Sequence, residues 1–377
     1  MAMANMLAQI EQYGNVTTQR TATAGPSSTQ QQKDETITTS IITPLTDFDW
    51  KTTEPLQLRP FKPKYHLTMG EYASSSIGKI ELTESPALEN ASVNEVVEMD
   101  NTYLDRLAVR QQIIQEHTQT VLAATPRVKP AVDEFYTWMT TTYLPMRFPT
   151  MFSTSTSTSI SFPTPSLHNI TTNEYIPLSP FPDPTISLRT LGSHIDLDFL
   201  ILLPSPDTDG YTLEGFLTCF PNGFDTFTKL RQKLRTIHAP VPRYSAKLEL
   251  AMDRFFDRIE VGRYVKRANW TVTTNPELFA AFGNHLYEGE TAEVEEVHPD
   301  RAWVRCEVQM LHRLPGTRAL VFSFKTYMYP LQAIKVEGSG EQLAQAIEGM
   351  EKGSVPEIYE YKRGVAWGES AKAYLRS

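Results

Sequence analysis

The order of strand-like and helix-like runs between Asp196 and Tyr327 constrains the fold of this chain more than any other feature. Asp196–Leu203 (DLDFLILL) and Tyr211–Phe220 (YTLEGFLTCF) are rich in apolar and aromatic residues. They are joined by PSPDTDG, whose prolines, aspartates and glycine favour a turn, so the pair predicts a hairpin. Two helix-compatible stretches follow, Asp225–Ile237 and Ala246–Ile259. In the second, Leu248, Met252, Phe255, Phe256 and Ile259 recur at helical steps and form one apolar face. Three further strand-like runs close the segment: Arg267–Thr274, Ala302–Leu311 and Arg318–Tyr327. A long acidic loop (EGETAEVEE) separates the first two, and LPGT joins the last two tightly.

Two strands, a helical crossover and three strands is the element order of a PAS-like domain. Such a domain is an α+β fold, with a five-stranded antiparallel sheet and a cofactor between sheet and helices. The sequence places this domain at residues 188–335. A helical C-terminal segment, 336–377, is expected to pack back on the sheet. Residues 1–46 are rich in Ser, Thr and Gln with few large apolar side chains, so they read as a disordered tail. Residues 47–187 read as an extended, proline-stiffened strap followed by a helical subdomain. Within it, Val93 to Ile114 repeats apolar residues at helical spacing, and Asp133–Tyr143 presents Phe135, Trp138, Met139 and Tyr143 on one face. The polar segment 71–92 reads as a loop insertion, and the STSTSTS tract within 153–163 and the proline-studded PLSPFPDPT as loops.

Composition removes several function classes. A net charge of -9 lacks the basic footprint of a nucleic-acid binder. No run of about 18 apolar residues occurs, so no membrane-spanning helix is expected. Cys219 and Cys306 lie far apart, and no C-x-x-C pair encodes a zinc or iron–sulfur site. Two buried free thiols suit a reducing compartment. With no basic segment ahead of the weakly apolar N-terminus, a cytoplasmic location is expected, with an organelle-targeting reading as the alternative. There is no G-x-S-x-G, H-E-x-x-H, Walker or Rossmann motif. His285, His298 and His312 show no ligand-like spacing and read as loop or surface residues.

Two stretches carry candidate chemistry. In Lys229–Tyr244 (KLRQKLRTIHAPVPRY) a basic helical run ends at His238, because Pro240 and Pro242 force extended chain. The imidazole sits at that boundary beside Ala239 and Val241, and two readings stand: a metal or haem ligand, or a cap on the last helical carbonyls. On the fourth strand, Trp303, Arg305, Glu307, Gln309 and Leu311 share one face, with Ala302, Val304, Cys306, Val308 and Met310 on the other. Facing solvent, the row is an ordinary polar sheet face. Facing the helices, it is a polar site in an apolar cleft, extended by Arg267, Asn269, Thr271 and Thr273 on the neighbouring strand. Arg59, Lys62, Lys64 and His66 in the strap form a basic cluster, read either as a grip on an acidic group or as a solvated strap.

Several motifs in one order resemble the haem-dependent oxidative N-demethylase-like (HRQ) family, particularly its fungal members. They are RPFKPKYHLTMG at 59–70, MDNTYLDR at 99–106, GFLTCFPNGF at 215–224, IHAPVPRY at 237–244 and MDRFFDR at 252–258. KRANW at 266–270, GNHLYEGE at 283–290, LHRLPGTRALVFSFKTYMYPL at 311–331 and YKRGVAWGESAKAYLRS at 361–377 continue it. The resemblance implies a haem-binding PAS-type domain that oxidatively demethylates a small secondary amine with O2. Electrons would come from NADPH through a separate flavin and iron–sulfur partner, which this chain does not encode. It further implies His238 as axial haem ligand, Glu307 as holder of the substrate ammonium, and Arg305 and Gln309 as groups polarising dioxygen. Arg267 and Asn269 become candidates for haem carboxylate or pocket contacts, and Arg59 and Lys62 for a propionate clamp. Val308 and Met310 replace an arginine and a threonine of the family's R-x-E-R-Q-T-L motif, on the face opposite Glu307. A haem-binding sensor or carrier without turnover is the alternative function, and an empty PAS-like module that binds a protein is a third.

Overall fold

The structure, a computed structural model, describes residues 41–64, 89–155, 165–298 and 300–377. His66, most of the expected tail and most of the 71–92 insertion lie outside the described residues. The described residues form ten strands: β1 Glu89–Ala91, β2 Leu122–Ala124, β3 Phe152–Ser155, β4 Ser166–Asn169, β5 Glu174–Pro177, β6 Asp198–Pro204, β7 Tyr211–Leu217, β8 Tyr264–Thr273, β9 Trp303–Arg313 and β10 Leu320–Pro330. The helices that position the site are α1 Tyr103–Glu116, α2 Lys129–Trp138, α3 Pro184–His194, α4 Leu234–His238, α5 Glu249–Arg258, α6 Gly340–Lys352, α7 Glu357–Tyr361 and α8 Gly364–Arg376.

The main sheet has seven strands, not five, in the order β1-β8-β9-β10-β6-β7-β2. The five expected strands form its middle, every pair antiparallel. Two three-residue strands, which are too short to read from periodicity, cover its edges: β1 on β8 and β2 on β7. The first residues of the serine–threonine tract are also not loop. Phe152–Ser155 pairs with β4 in a small three-stranded sheet, β3-β4-β5.

The sheet is buried on both faces. On one, Val304, Cys306, Tyr327 and Tyr329 pack against Leu343, Ile347, Trp367 and Leu375 of α6 and α8, so the C-terminal segment does fold back on the sheet. Phe199, Ile201 and Val321 join a second cluster with α1, α2 and α3, through Leu107, Phe135 and Leu188. On the opposite face, Phe216, Leu311 and Leu320 meet Leu234, Tyr244, Leu248, Met252 and Phe256 of the crossover.

The crossover departs from the expected pair of helices. Asp225–Ile237 is interrupted after a short 3-10 turn, because the backbone at Arg231 and Gln232 bonds to β7 instead of to its own helix. Arg231 N donates to Leu213 O at 2.7 Å, and Leu213 N to Gln232 O at 3.1 Å. Arg231 adopts a left-handed φ of 63° to make that turn. Only the five-residue α4 remains before the prolines. Order also begins ahead of residue 47: Thr43 N donates to Asn94 Oδ1 at 2.7 Å, and Leu45 N to Arg147 O at 2.9 Å. Cys219 and Cys306 are buried free thiols. Among the described residues no helix is long and apolar enough to cross a membrane.

Candidate functional site

The end of α4 fixes His238. Its Nδ1–H donates to Leu234 O at 2.8 Å, and its ring stacks on Tyr244, with centroids 5.2 Å apart and planes 19° from parallel. The capping reading is therefore realised at Nδ1, and it leaves Nε2 with no protein hydrogen bond among the described residues. A backbone-bound Nδ1–H fixes the tautomer in which Nε2 carries a lone pair, the state a metal-binding imidazole needs. Loss of hydration lowers the His238 pKa to about 4. The bond to Leu234 opposes that shift, while the charges of Arg267 and Lys229 add to it. At neutral pH the ring is uncharged.

The polar row faces the crossover, not solvent. Register places Arg267 opposite Gln309, Asn269 opposite Glu307 and Thr271 opposite Arg305 on β8 and β9. Leu311 of the same row packs on the crossover cluster. Glu307 and Gln309 are only 3% and 8% exposed, which rules out a solvated face. Arg267 Nε donates to Gln309 Oε1 at 2.6 Å, and Gln309 Nε2 donates to Glu307 Oε2 at 2.9 Å. From the other side Asn269 Nδ2 donates to Glu307 Oε2 at 3.4 Å. Glu307 Oε1 is buried with no partner, as is Thr326 Oγ1 directly across from it on β10. Buried polar atoms of this kind mark where a ligand or an ordered water belongs.

Arg305 is not free to meet a ligand with its terminal nitrogens. They donate to the carbonyls of Phe220, Pro221, Glu277 and Leu278 at 2.8–3.1 Å, so the guanidinium ties two loops to the sheet. Burial lowers its pKa to about 10, against the pull of Glu307. Those loops meet the Arg305 end of the polar row. Gly223 there adopts a φ of +76°, and a Cβ would lie 2.7 Å from the His285 ring, so glycine is required on both counts. His285 in turn stacks on Tyr361 at 4.4 Å.

The strap is not brought to the polar row. Arg59 pairs with Glu337 and lies over the Tyr329 ring, on the face covered by the C-terminal helices, and Phe61 packs in that same cluster. Lys62 follows Phe61 in this stretch and is exposed. His312 also departs from expectation: it is buried on β9 among Phe135, Trp138 and Tyr264. Sequence reasoning missed Lys362, whose Nζ donates to Asn269 Oδ1 at 3.0 Å and to Trp270 O. Its signal was present as the basic pair in YKRG, but nothing local says that one of the two cations turns inward. Burial lowers its pKa to about 8, with Glu307 opposing and Arg267 adding to the shift.

Among the described residues no three His, Cys, Asp or Glu side chains converge as a metal cluster. The sheet face beneath the crossover carries apolar side chains that are not fully covered. Leu200 and Phe322 lie in central strands, yet they remain only partly buried where direct helix packing would cover them. Residues 87–372 match the family model described as haem-dependent oxidative N-demethylase, alpha subunit-like. That stretch holds His238, Glu307, Lys362 and every strand of the main sheet, and the chain belongs to this family.

Proposed function

We propose that this chain is the haem-binding, substrate-binding component of an oxidative N-demethylase acting on a small secondary amine. The observation that carries the reading is His238: a neutral ring, its tautomer fixed by Leu234, with Nε2 left without a protein hydrogen bond among the described residues. The strand order β7-β6-β10-β9-β8, with the helical crossover after the second of these in sequence, supports a PAS-like pocket. When bound, haem supplies dioxygen activation at iron, using two electrons from outside the chain. A separate reductase with flavin and iron–sulfur centres is the expected donor.

The chain's own residues bind and orient. Glu307 presents Oε1 to an N–H of the amine, a charge-assisted bond in a buried site. Gln309 and Asn269 hold its other oxygen. Arg267, whose charge is felt at His238, would be the cation that meets a haem carboxylate. The N-methyl carbon gains one oxygen atom of O2, and the carbinolamine breaks down to formaldehyde and the primary amine. The second oxygen atom leaves as water after taking up two electrons and two protons. Val308 and Met310 face away from Glu307 into apolar packing, so these departures stay outside the cleft.

A haem sensor or carrier is the second reading, favoured by the engagement of Arg305 with backbone carbonyls. The two separate in one experiment. The purified chain, expressed with haem supplied, is expected to show a Soret band that His238→Ala abolishes or shifts. With a chemical or enzymatic reductant it is expected to release formaldehyde from dimethylamine only in the presence of O2. Absence of the Soret band sinks both readings, and a Soret band without formaldehyde leaves the sensor.

A further inference from the structure

We propose that Lys362, in the turn between α7 and α8, is a positioning residue that fixes how Glu307 presents its carboxylate to a bound amine. The proposal rests on the reading of Glu307 given above. An ammonium and a guanidinium are donors only, whereas an amide side chain has one donating and one accepting end. Lys362 donates to Asn269 Oδ1, which forces the Asn269 amide nitrogen toward Glu307. Arg267 donates to Gln309 Oε1, which forces the Gln309 amide nitrogen toward the same carboxylate. The two cations therefore set the polarity of a five-residue relay, and both amide donors converge on Glu307 Oε2. Oε1 is left as the acceptor without a protein partner, 3% exposed with its residue and opposite the equally orphaned Thr326 Oγ1.

The backbone around Lys362 is held firmly enough to do this. Trp367 Nε1 donates to Lys362 O at 3.1 Å, Tyr361 stacks on His285, and Arg363 binds Glu295 and Gly283 O. Its side chain then runs inward over the Trp270 ring, 5.7 Å from the centroid. Without the ammonium, Asn269 is free to turn its carbonyl toward Glu307. Two acceptors then face each other, and the carboxylate rotates away from its set orientation.

The test is a double-mutant cycle in the full-length, haem-loaded protein, with dimethylammonium chloride binding read by calorimetry. Lys362→Met and Glu307→Gln are each expected to weaken binding at least tenfold, while the Soret maximum and haem content of Lys362→Met match the parent. The double variant is expected to bind within twofold of Glu307→Gln alone, because Lys362 acts only through that carboxylate. Lys362→Met binding within twofold of the parent, or an additive loss in the double variant, overturns the proposal while the reading of Glu307 stands. Parent-like binding by Glu307→Gln overturns that reading and the proposal with it. If Lys362→Met does not fold, Asn269→Leu breaks the relay one residue nearer and enters the same cycle with the same expected outcomes.

Discussion

His312 has two ring nitrogens with no hydrogen-bond partner, in a nest of aromatic side chains that strips it of water and lowers its pKa to about 3. The unfolded chain protonates this group near its ordinary value of 6.5, and the folded chain does not. Stability is therefore highest above pH 6.5 and is lost as pH falls toward the folded value, by up to about 1.4 kcal/mol per pH unit. His312→Leu is predicted to flatten the slope of unfolding free energy between pH 6 and pH 4 by about 1 kcal/mol per unit. Urea unfolding at stepped pH measures it, and parallel slopes for parent and variant contradict it. His238 shows what the sequence reveals at this scale and what it hides. The prolines after it fix the helix end, and they are visible. The bond from Nδ1 to Leu234 realises the capping reading and leaves Nε2 available for the ligand role proposed above, an outcome that spacing cannot supply.

At the level of elements, alternation on β9 was legible because a strand has period two, and the predicted sharing of faces between Arg267, Asn269, Glu307 and Gln309 holds in the register. What alternation cannot tell is which polar side chains are already spoken for. Arg305 belongs to the same row, yet it is a clamp between β9 and two loops. Arg305→Lys cannot reach all four carbonyls with one ammonium, and a loss of about 2–4 kcal/mol is predicted from the charged hydrogen bonds given up. Hydrogen exchange should rise across 220–223 and 277–285 while α6 and α8 stay protected. Faster exchange in α6 and α8 as well would mean that Arg305 holds the whole sheet. The strap is a second case. Its basic residues suggested a clamp on the cofactor, but residues 63–64 lie on α6, where a Cβ at Gly349 would come 2.4 Å from Pro63 O. Gly349→Val is predicted to lift the strap and speed tryptic cleavage after Lys64, since Arg59 and Lys62 each precede a proline, with haem content unchanged. A fall in haem content would restore the clamp.

For the whole molecule, the two sheet faces do different work. One is sealed by α6 and α8, with Ile347 and Leu343 fully buried. The other is covered by a crossover that the Arg231 turn and two prolines break into short pieces, and Leu200 and Phe322 beneath it stay partly buried. The five middle strands were legible from composition and turn residues. The flanking strands were not, because three residues carry no readable period and their pairing is a property of the assembled sheet. Deleting residues up to Ala91 removes β1, and the truncated chain is predicted to form large particles by light scattering where the full chain does not. A monodisperse truncated chain would refute this.

Both edge caps, β1 and β2, precede in sequence the strands they cover. A ribosome thus delivers each cover before the open flank it protects, so neither β8 nor β7 emerges without its partner already available. An exposed flank is the usual template for chains to join one another. This ordering guards a nascent sheet during the interval when it is most vulnerable.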